Sequence, residues 1–268
     1  MKVFVFDAER CNGCHNCQVA CKDEHVGNAW PPYAAPEPNT GQFWLRVLQR
    51  EHGQIPMVKV EYTAWLCMHC ERCVAAEACG SDAFARRDDG LVYIDPARCT
   101  GCMDCVPACP YEAVFANEEA GIAQKCTGCA HLVDEGRLPH CVDLCATGGL
   151  RFGDAEDFAC ELADAEVMRG ELGTGPRVYY RNLPHLFLGG EVWDPQADEV
   201  IEGARVTLAA VGGVEAAQET DDFGDFKFER LDPGEYRLAI EAPGFKPVAR
   251  DVVLEESTYL GDFPLERA

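Results

Sequence analysis

The sequence predicts an α+β chain in two parts: a cysteine-rich region of short helices and strands over residues 1–185, then an all-β sandwich over residues 186–268. Three observations carry this. Sixteen of the seventeen cysteines fall into four groups of four between residues 11 and 145. Near Pro184 the composition changes: only Cys160 lies between the last group and that point, and short runs of alternating apolar and polar residues begin. No apolar run approaches the roughly 18 residues that a membrane span requires, so no direct membrane span is expected.

The four groups are Cys11, Cys14, Cys17 and Cys21; Cys67, Cys70, Cys73 and Cys79; Cys99, Cys102, Cys105 and Cys109; and Cys126, Cys129, Cys141 and Cys145. The third, followed by Pro110, has the spacing that holds iron-sulfur cubanes. Sixteen thiolates at four per centre complete four 4Fe-4S clusters. Three cysteines at intervals of three wrap one cubane, while the fourth, on the first turn of a helix, points to a second, so motifs exchange ligands in pairs. Motifs two and three are only twenty residues apart, with Leu91 to Ile94 between them as one short strand. This is the repeat unit of a two-cluster ferredoxin, and the fold class becomes a ferredoxin-like double dicluster domain. Cys67, Cys70 and Cys73 then share a cubane with Cys109, and Cys99, Cys102 and Cys105 share one with Cys79. By elimination motif one pairs with motif four: Cys11, Cys14 and Cys17 with Cys145, and Cys126, Cys129 and Cys141 with Cys21.

Simpler uses of cysteine fit less well. A run of three at this spacing, twice, leaves an odd ligand that a tetrahedral zinc site does not need. Disulfides need an oxidising compartment, and the start, Met1 to Asp7, is too short and too soon charged for a secretory segment. A cytoplasmic location follows, with export alongside a signal-bearing partner left open. Cys160 is expected as a packed core cysteine in a helix near residues 154–169. Metal binding contributes folding free energy, so the cysteine-rich part can be stable with a thin apolar core.

The remaining elements follow in chain order. A Pro-rich loop from Trp30 to Pro38 leads into a hairpin, Gln42 to Arg50 and Ile55 to Tyr62, turning at His52-Gly53. An eleven-residue insert separates Cys129 from Cys141. Leu150 to Gly153 and Arg177 to Tyr180 read as further strands around the Gly- and Pro-punctuated stretch 170–176. In the second part, Phe187 to Trp193, Ala204 to Ala210, Asp225 to Glu229, Gly234 to Glu241, Val248 to Leu254 and Tyr259 to Leu265 are strand candidates. Their length and even spacing argue a sandwich.

The formal net charge is −23, of which residues 186–268 carry −12, and this field repels nucleic acid. His15, His69 and His131 sit among the cysteines, where a supporting or surface role is expected because the thiolate count is complete. Lys125 precedes Cys126 and either raises that cluster's potential or is a solvated lysine.

Two stretches resemble known domains. Thr220 to Phe228 with Leu231-Asp232-Pro233-Gly234-Glu235-Tyr236 resembles the carboxypeptidase-regulatory or transthyretin-like, immunoglobulin-type sandwich. No catalytic constellation occurs there, and a docking or stabilising module is implied. The four motifs, with Asp88 to Pro96, Cys109-Pro110-Tyr111-Glu112-Ala113 and Cys145 to Leu150, resemble the small iron-sulfur subunits of the dimethyl-sulfoxide-reductase superfamily. That resemblance implies the same cluster pairing. It also implies a non-catalytic electron-transfer subunit working with a large molybdopterin-containing (Mo or W) catalytic subunit, as a heterodimer or higher assembly. Cys21 to Asn28 with Trp30 to Pro36, and Glu171 to Leu183, resemble the pyrogallol-phloroglucinol transhydroxylase group and its relatives the catechol dehydroxylases, which act on polyhydroxylated aromatic rings.

Two departures stand out. The third cysteine of motif two falls two residues early, at Cys73, with Ala75 at the superfamily's usual position, so three clusters result if the Cys67/Cys70/Cys73/Cys109 site does not form. Only Cys109 is followed by proline; Lys22, Gly80 and Ala146 follow the others, which weakens the turn rather than the ligation. A free polyferredoxin serving several enzymes, or clusters with a mainly structural role, are the alternative readings.

Overall fold

A computed structural model describes residues 1–210, 213 and 215–268. They form two compact units, residues 1–49 with 62–183, and residues 50–61 with 184–268.

The first unit is organised on the strand β1 (Lys2–Asp7), from which Val3 to Asp7 are all buried. Because both faces are covered, the run Val3-Phe4-Val5-Phe6 shows no alternation of polarity. The helix α1 (Asn16–His25) follows and carries Cys21. The strands β2 (Leu45–Gln54) and β3 (Met57–Leu66) pair as a hairpin. Its turn lies at Ile55-Pro56 rather than His52-Gly53.

Motifs two and three then form two matching halves. One holds α2 (Val74–Glu77) and the antiparallel pair β4 (Phe84–Arg86) and β5 (Val92–Ile94). The other holds α3 (Cys105–Ala108) and the pair β6 (Phe115–Asn117) and β7 (Ile122–Gln124). A small core of Ala75, Ala83, Ile94, Val114 and Ala123 packs between them, with Cys73, Cys79, Cys99, Cys105 and Cys109 at its edge. The fourth cysteines do not sit on the first turn of a helix. Cys79, Cys109 and Cys145 each follow a four-residue helix, and Cys21 lies in the last half of α1.

Motif four is carried by α4 (Ala130–Asp134) and α5 (His140–Asp143). The strand β8 (Leu150–Asp154) then pairs antiparallel with β1. The expected helix over 154–169 reduces to a 3₁₀ turn and one turn of α6 (Ala159–Leu162), with no buried residue in either. Cys160 is exposed there, so it is not a core cysteine. The strand β9 (Val178–Arg181) completes the sheet in the order β8-β1-β9, parallel to β1.

In the second unit, β10 (Leu186–Asp194) pairs antiparallel with β11 (Glu199–Val200) and β14 (Asp225–Leu231), and parallel with β17 (Thr258–Pro264). A second antiparallel sheet runs β13 (Glu215–Glu219), β12 (Arg205–Ala210), β15 (Gly234–Glu241), β16 (Val248–Leu254). Leu188, Val192, Val206, Leu208, Phe226, Leu238 and Ile240 fill one apolar core, as alternation along each strand requires. The turns explain the residues that mark this domain. Asp221 Oδ1 accepts the backbone N–H of Phe223 and of Asp225, each at 2.9 Å. The Tyr236 hydroxyl donates back to Asp232 O at 2.7 Å. β11 and the largely exposed β13 escape the strand reading, the first for its length and the second for lack of alternation.

Candidate functional site

The sixteen cysteines of the four motifs lie in the first unit, where the sequence expects four sulfur quartets. Each motif begins with a Cys-x-x-Cys loop, and the residue before its second cysteine has a positive φ: Gly13, His69, Gly101 and Gly128. At Gly101 a β-carbon would come within 2.2 Å of Gly121 O, so the turn there has no room for a side chain. Such loops curl the backbone around a centre and point N–H groups at sulfur. Gly128 N–H donates to Cys126 Sγ at 3.3 Å, His69 N–H to Cys67 Sγ at 3.4 Å, Leu150 N–H to Cys145 Sγ at 3.3 Å, and Ala123 N–H to Cys99 Sγ at 3.4 Å.

The mutual influence of the thiols shows which belong together. Burial raises Cys11 and pushes Cys17 up to about 12, and the sulfurs of Cys145 and Cys14 add to both. Cys21 is driven well up by burial and then by Cys126, Cys141 and Cys129. Burial pushes Cys70 up to about 12, opposed by a hydrogen bond from Thr174 and aided by Cys67, Cys73 and Cys109. Cys105 rises to about 12 through burial and then Cys79, with Cys99 and Cys102 beyond. Cys73 is influenced by Cys67 and Cys109, while Ala75, at the superfamily's usual position, is buried in α2. Cys79 and Cys145 run the other way. Burial raises each, but hydrogen bonds from Ser81 and its neighbouring backbone, and from Leu150 and Thr147, bring them below the ordinary thiol value.

The groups also influence one another in a definite order. Cys17 acts on Cys141, linking Cys11/Cys14/Cys17/Cys145 to Cys21/Cys126/Cys129/Cys141. Cys67 acts on Cys126, linking the second quartet to Cys67/Cys70/Cys73/Cys109. The small core between motifs two and three joins that quartet to Cys79/Cys99/Cys102/Cys105. Cys14 and Cys102, at the two ends of the series, are exposed, whereas all four cysteines of the second quartet are buried.

Among the described residues, no group of three or more His, Cys, Asp or Glu is set to hold a metal ion. The third quartet instead surrounds a cavity, lined by Cys67, Cys70, Cys73 and Cys109 together with His69 and Lys125. Four thiols around a space, with N–H groups aimed at the sulfurs, fit a 4Fe-4S core whose irons sit at its corners.

Several polar groups around the quartets are buried in ways the sequence does not reveal. Lys125 is 2% exposed, not solvated; its ammonium donates to Cys126 O at 2.8 Å and to Val92 O. His15 stays partly exposed near Gln18, whereas His131 stacks on Trp30 at 4.2 Å and meets Glu24 at 2.9 Å. His25 escapes the sequence reading, its one signal being a place one helical turn beyond Cys21. Its Nε2 is 3.8 Å from Cys129 Sγ, and burial lowers its pKa to about 3, with His131 and His140 adding to the effect. Glu37 is also buried near the second quartet. Burial pushes its carboxyl up to about 7, against the pull of Lys22 at 3.1 Å.

The segment from Thr174 to Arg177 braces motif two. Glu71 N–H donates to Gly175 O at 2.8 Å, Arg72 N–H to Thr174 O at 2.9 Å, and Arg177 N–H to Met68 O at 2.8 Å. The Thr174 hydroxyl also bonds the Tyr111 hydroxyl at 2.7 Å. The loop that departs from the superfamily's spacing is thus held by the stretch that resembles the transhydroxylase group.

Comparison with known proteins agrees with this geometry. The 4Fe-4S dicluster domain family matches residues 58–155, and the carboxypeptidase regulatory-like domain family matches residues 188–266. The pyrogallol hydroxytransferase small subunit of Pelobacter acidigallici is 39% identical over 269 residues, 95% of either chain. A tetrathionate reductase subunit of Salmonella typhimurium is 36% identical over 69% of this chain and 73% of its own length. The thiosulfate reductase electron transfer subunit of Salmonella typhi is 32% identical over 62% of this chain and 84% of its own. No helix among the described residues is long and apolar enough to cross a membrane.

Proposed function

Because the chain belongs to the family of small iron-sulfur, electron-transfer subunits of molybdopterin oxidoreductases, we propose that residues 1–185 hold four 4Fe-4S clusters in a single relay. The ligand sets are Cys11, Cys14, Cys17 and Cys145; Cys21, Cys126, Cys129 and Cys141; Cys67, Cys70, Cys73 and Cys109; and Cys79, Cys99, Cys102 and Cys105. The observation that supports this most is the order in which the thiol groups influence one another, with exposed Cys14 and Cys102 at opposite ends and mostly buried thiols between. When bound, the clusters supply one-electron redox chemistry. The chain's own residues exclude water from the inner quartets, aim N–H donors at the sulfurs and place Lys125 and Glu37 as buried groups of opposite sign.

The catalytic metal belongs to a separate large molybdopterin-containing subunit, in a heterodimer or larger assembly. The likeness to the pyrogallol hydroxytransferase small subunit spans the sandwich as well as the motifs. It supports a polyhydroxylated aromatic ring as the complex's substrate, by transhydroxylation or reductive dehydroxylation, and residues 186–268 as a docking module. The test is Cys14→Ser in the complex. Electron delivery from a reduced dye to the partner's metal should slow greatly, while the clusters of motifs two and three still reduce. Full delivery through a stable Cys14→Ser complex would refute the relay order.

A further inference from the structure

Motif two alone places a large side chain at the left-handed loop position. His69 has φ of 46° where Gly13, Gly101 and Gly128 have 69°, 73° and 66°. A β-carbon there carries backbone strain that glycine avoids, and such strain persists where the surroundings hold the residue for a purpose. The imidazole is 1% exposed, with Phe4 stacked against it at 6.0 Å and 19°. Val92 N–H donates to Nδ1 at 3.1 Å. Nδ1 therefore bears the lone pair, and the ring proton sits on Nε2. A cationic ring would turn its own Nδ1–H against the Val92 N–H, so the hydrogen bond requires the neutral ring. Nε2 is itself buried and has no hydrogen-bond partner among the described residues. An orphaned buried N–H costs free energy unless an acceptor faces it. The ring lines the cavity bounded by Cys67, Cys70, Cys73 and Cys109, and the acceptors a cluster brings there are its sulfurs.

We infer that His69 donates its Nε2–H to the cluster held by Cys67, Cys70, Cys73 and Cys109, and that this bond raises the potential of that centre. Donors at sulfur stabilise the reduced cluster, which carries one more negative charge. The same site receives the Thr174 hydroxyl on Cys70 and has the Lys125 ammonium in its wall. The neighbouring quartet has His25 at Cys129, but also the Glu37 carboxyl acting on Cys21 and Cys126 in the opposite sense. His69 thus acts as a positioning residue that raises the potential of the third centre within the relay.

This inference rests on the four-cluster reading, and the experiment separates the two. The anaerobically purified full-length chain is compared with His69→Phe, which keeps an aromatic ring, His69→Gly, which relieves the backbone, and His69→Gln, which keeps a donor. Iron content, an EPR-monitored redox titration and proton ENDOR in H₂O and D₂O are measured on each. In the unaltered chain one cluster should show a strongly coupled exchangeable proton that is lost on changing His69. His69→Phe and His69→Gly should lose that coupling and lower the midpoint of that one cluster, leaving the other three in place. His69→Gln should recover part of both. If Phe disturbs loading, the Gly variant decides. Unchanged coupling and midpoints in a Gly variant with about sixteen irons would overturn the inference alone; about twelve irons in the unaltered chain would overturn the four-cluster reading and the inference with it.

Discussion

Replacing Lys125 by Met should lower the potentials of two clusters at once. Lys125 stands between the second and third quartets, where its charge favours the thiolates of Cys73, Cys109 and Cys126. Its ammonium is bound by two backbone carbonyls, and among the described residues it has no carboxylate partner within salt-bridge distance. The charge is therefore not neutralised locally. At an effective dielectric constant of about 20 and a separation on the order of 8 Å, one unit charge contributes about 2 kcal/mol. For a one-electron couple this corresponds to roughly 90 mV. Reduction adds negative charge, so removing the cation lowers both midpoints. Met is close in length and keeps the site filled, leaving two buried carbonyls short of a donor at a cost of about 1–3 kcal/mol each. An EPR-monitored redox titration reads the shift. Two centres moving down by several tens of millivolts, with the end clusters nearly fixed, is the expected result. No shift, an upward shift, or equal movement of all four centres in a fully loaded variant would refute the placement of this charge.

Three further outcomes follow from the same packing. Thr174→Val removes the hydroxyl from both Cys70 and Tyr111; a spectroscopic titration should show only the third cluster shifting downward, and a denaturant titration should show a stability loss of about 1–3 kcal/mol from the stranded Tyr111 hydroxyl. Phe226→Ala should destabilise the sandwich by about 3–5 kcal/mol because the ring fills its apolar core, with the cluster absorbance unchanged. Deleting residues 186–268 should leave the cluster spectrum intact, since no cysteine lies there, while weakening co-purification with the large subunit; loss of the clusters on truncation would show that the cysteine-rich part depends on the sandwich.

The candidate ligands are legible because cluster binding fixes cysteine spacing along the chain, and that constraint survives whatever the rest of the fold does. The sandwich was legible for a similar local reason: Gly234–Glu241 and Val248–Leu254 alternate, and Asp221 and Tyr236 mark their turns. What escaped depends on distant parts of the chain. Lys2–Asp7 is the central strand between residues 150–154 and 178–181, with Val3 to Asp7 buried on both faces, so its polarity never alternates. The helix expected near residue 160 has the right residues but buries none of them, and without a packed face only one α-helical turn forms. Lys125 looked like a solvated lysine because nothing local announces that Val92 O, thirty-three residues earlier, will receive its ammonium. The burial of His69 and Thr174 arises in the same way, from Phe4 and Tyr111.

The account stands on four filled sulfur quartets, including the one completed by Cys73. Anaerobic purification followed by iron and acid-labile sulfide analysis tests this most directly. Four clusters require about sixteen of each per chain, and Cys73→Ala should reduce that number. About twelve in the unaltered chain, with no change on Cys73→Ala, would contradict it.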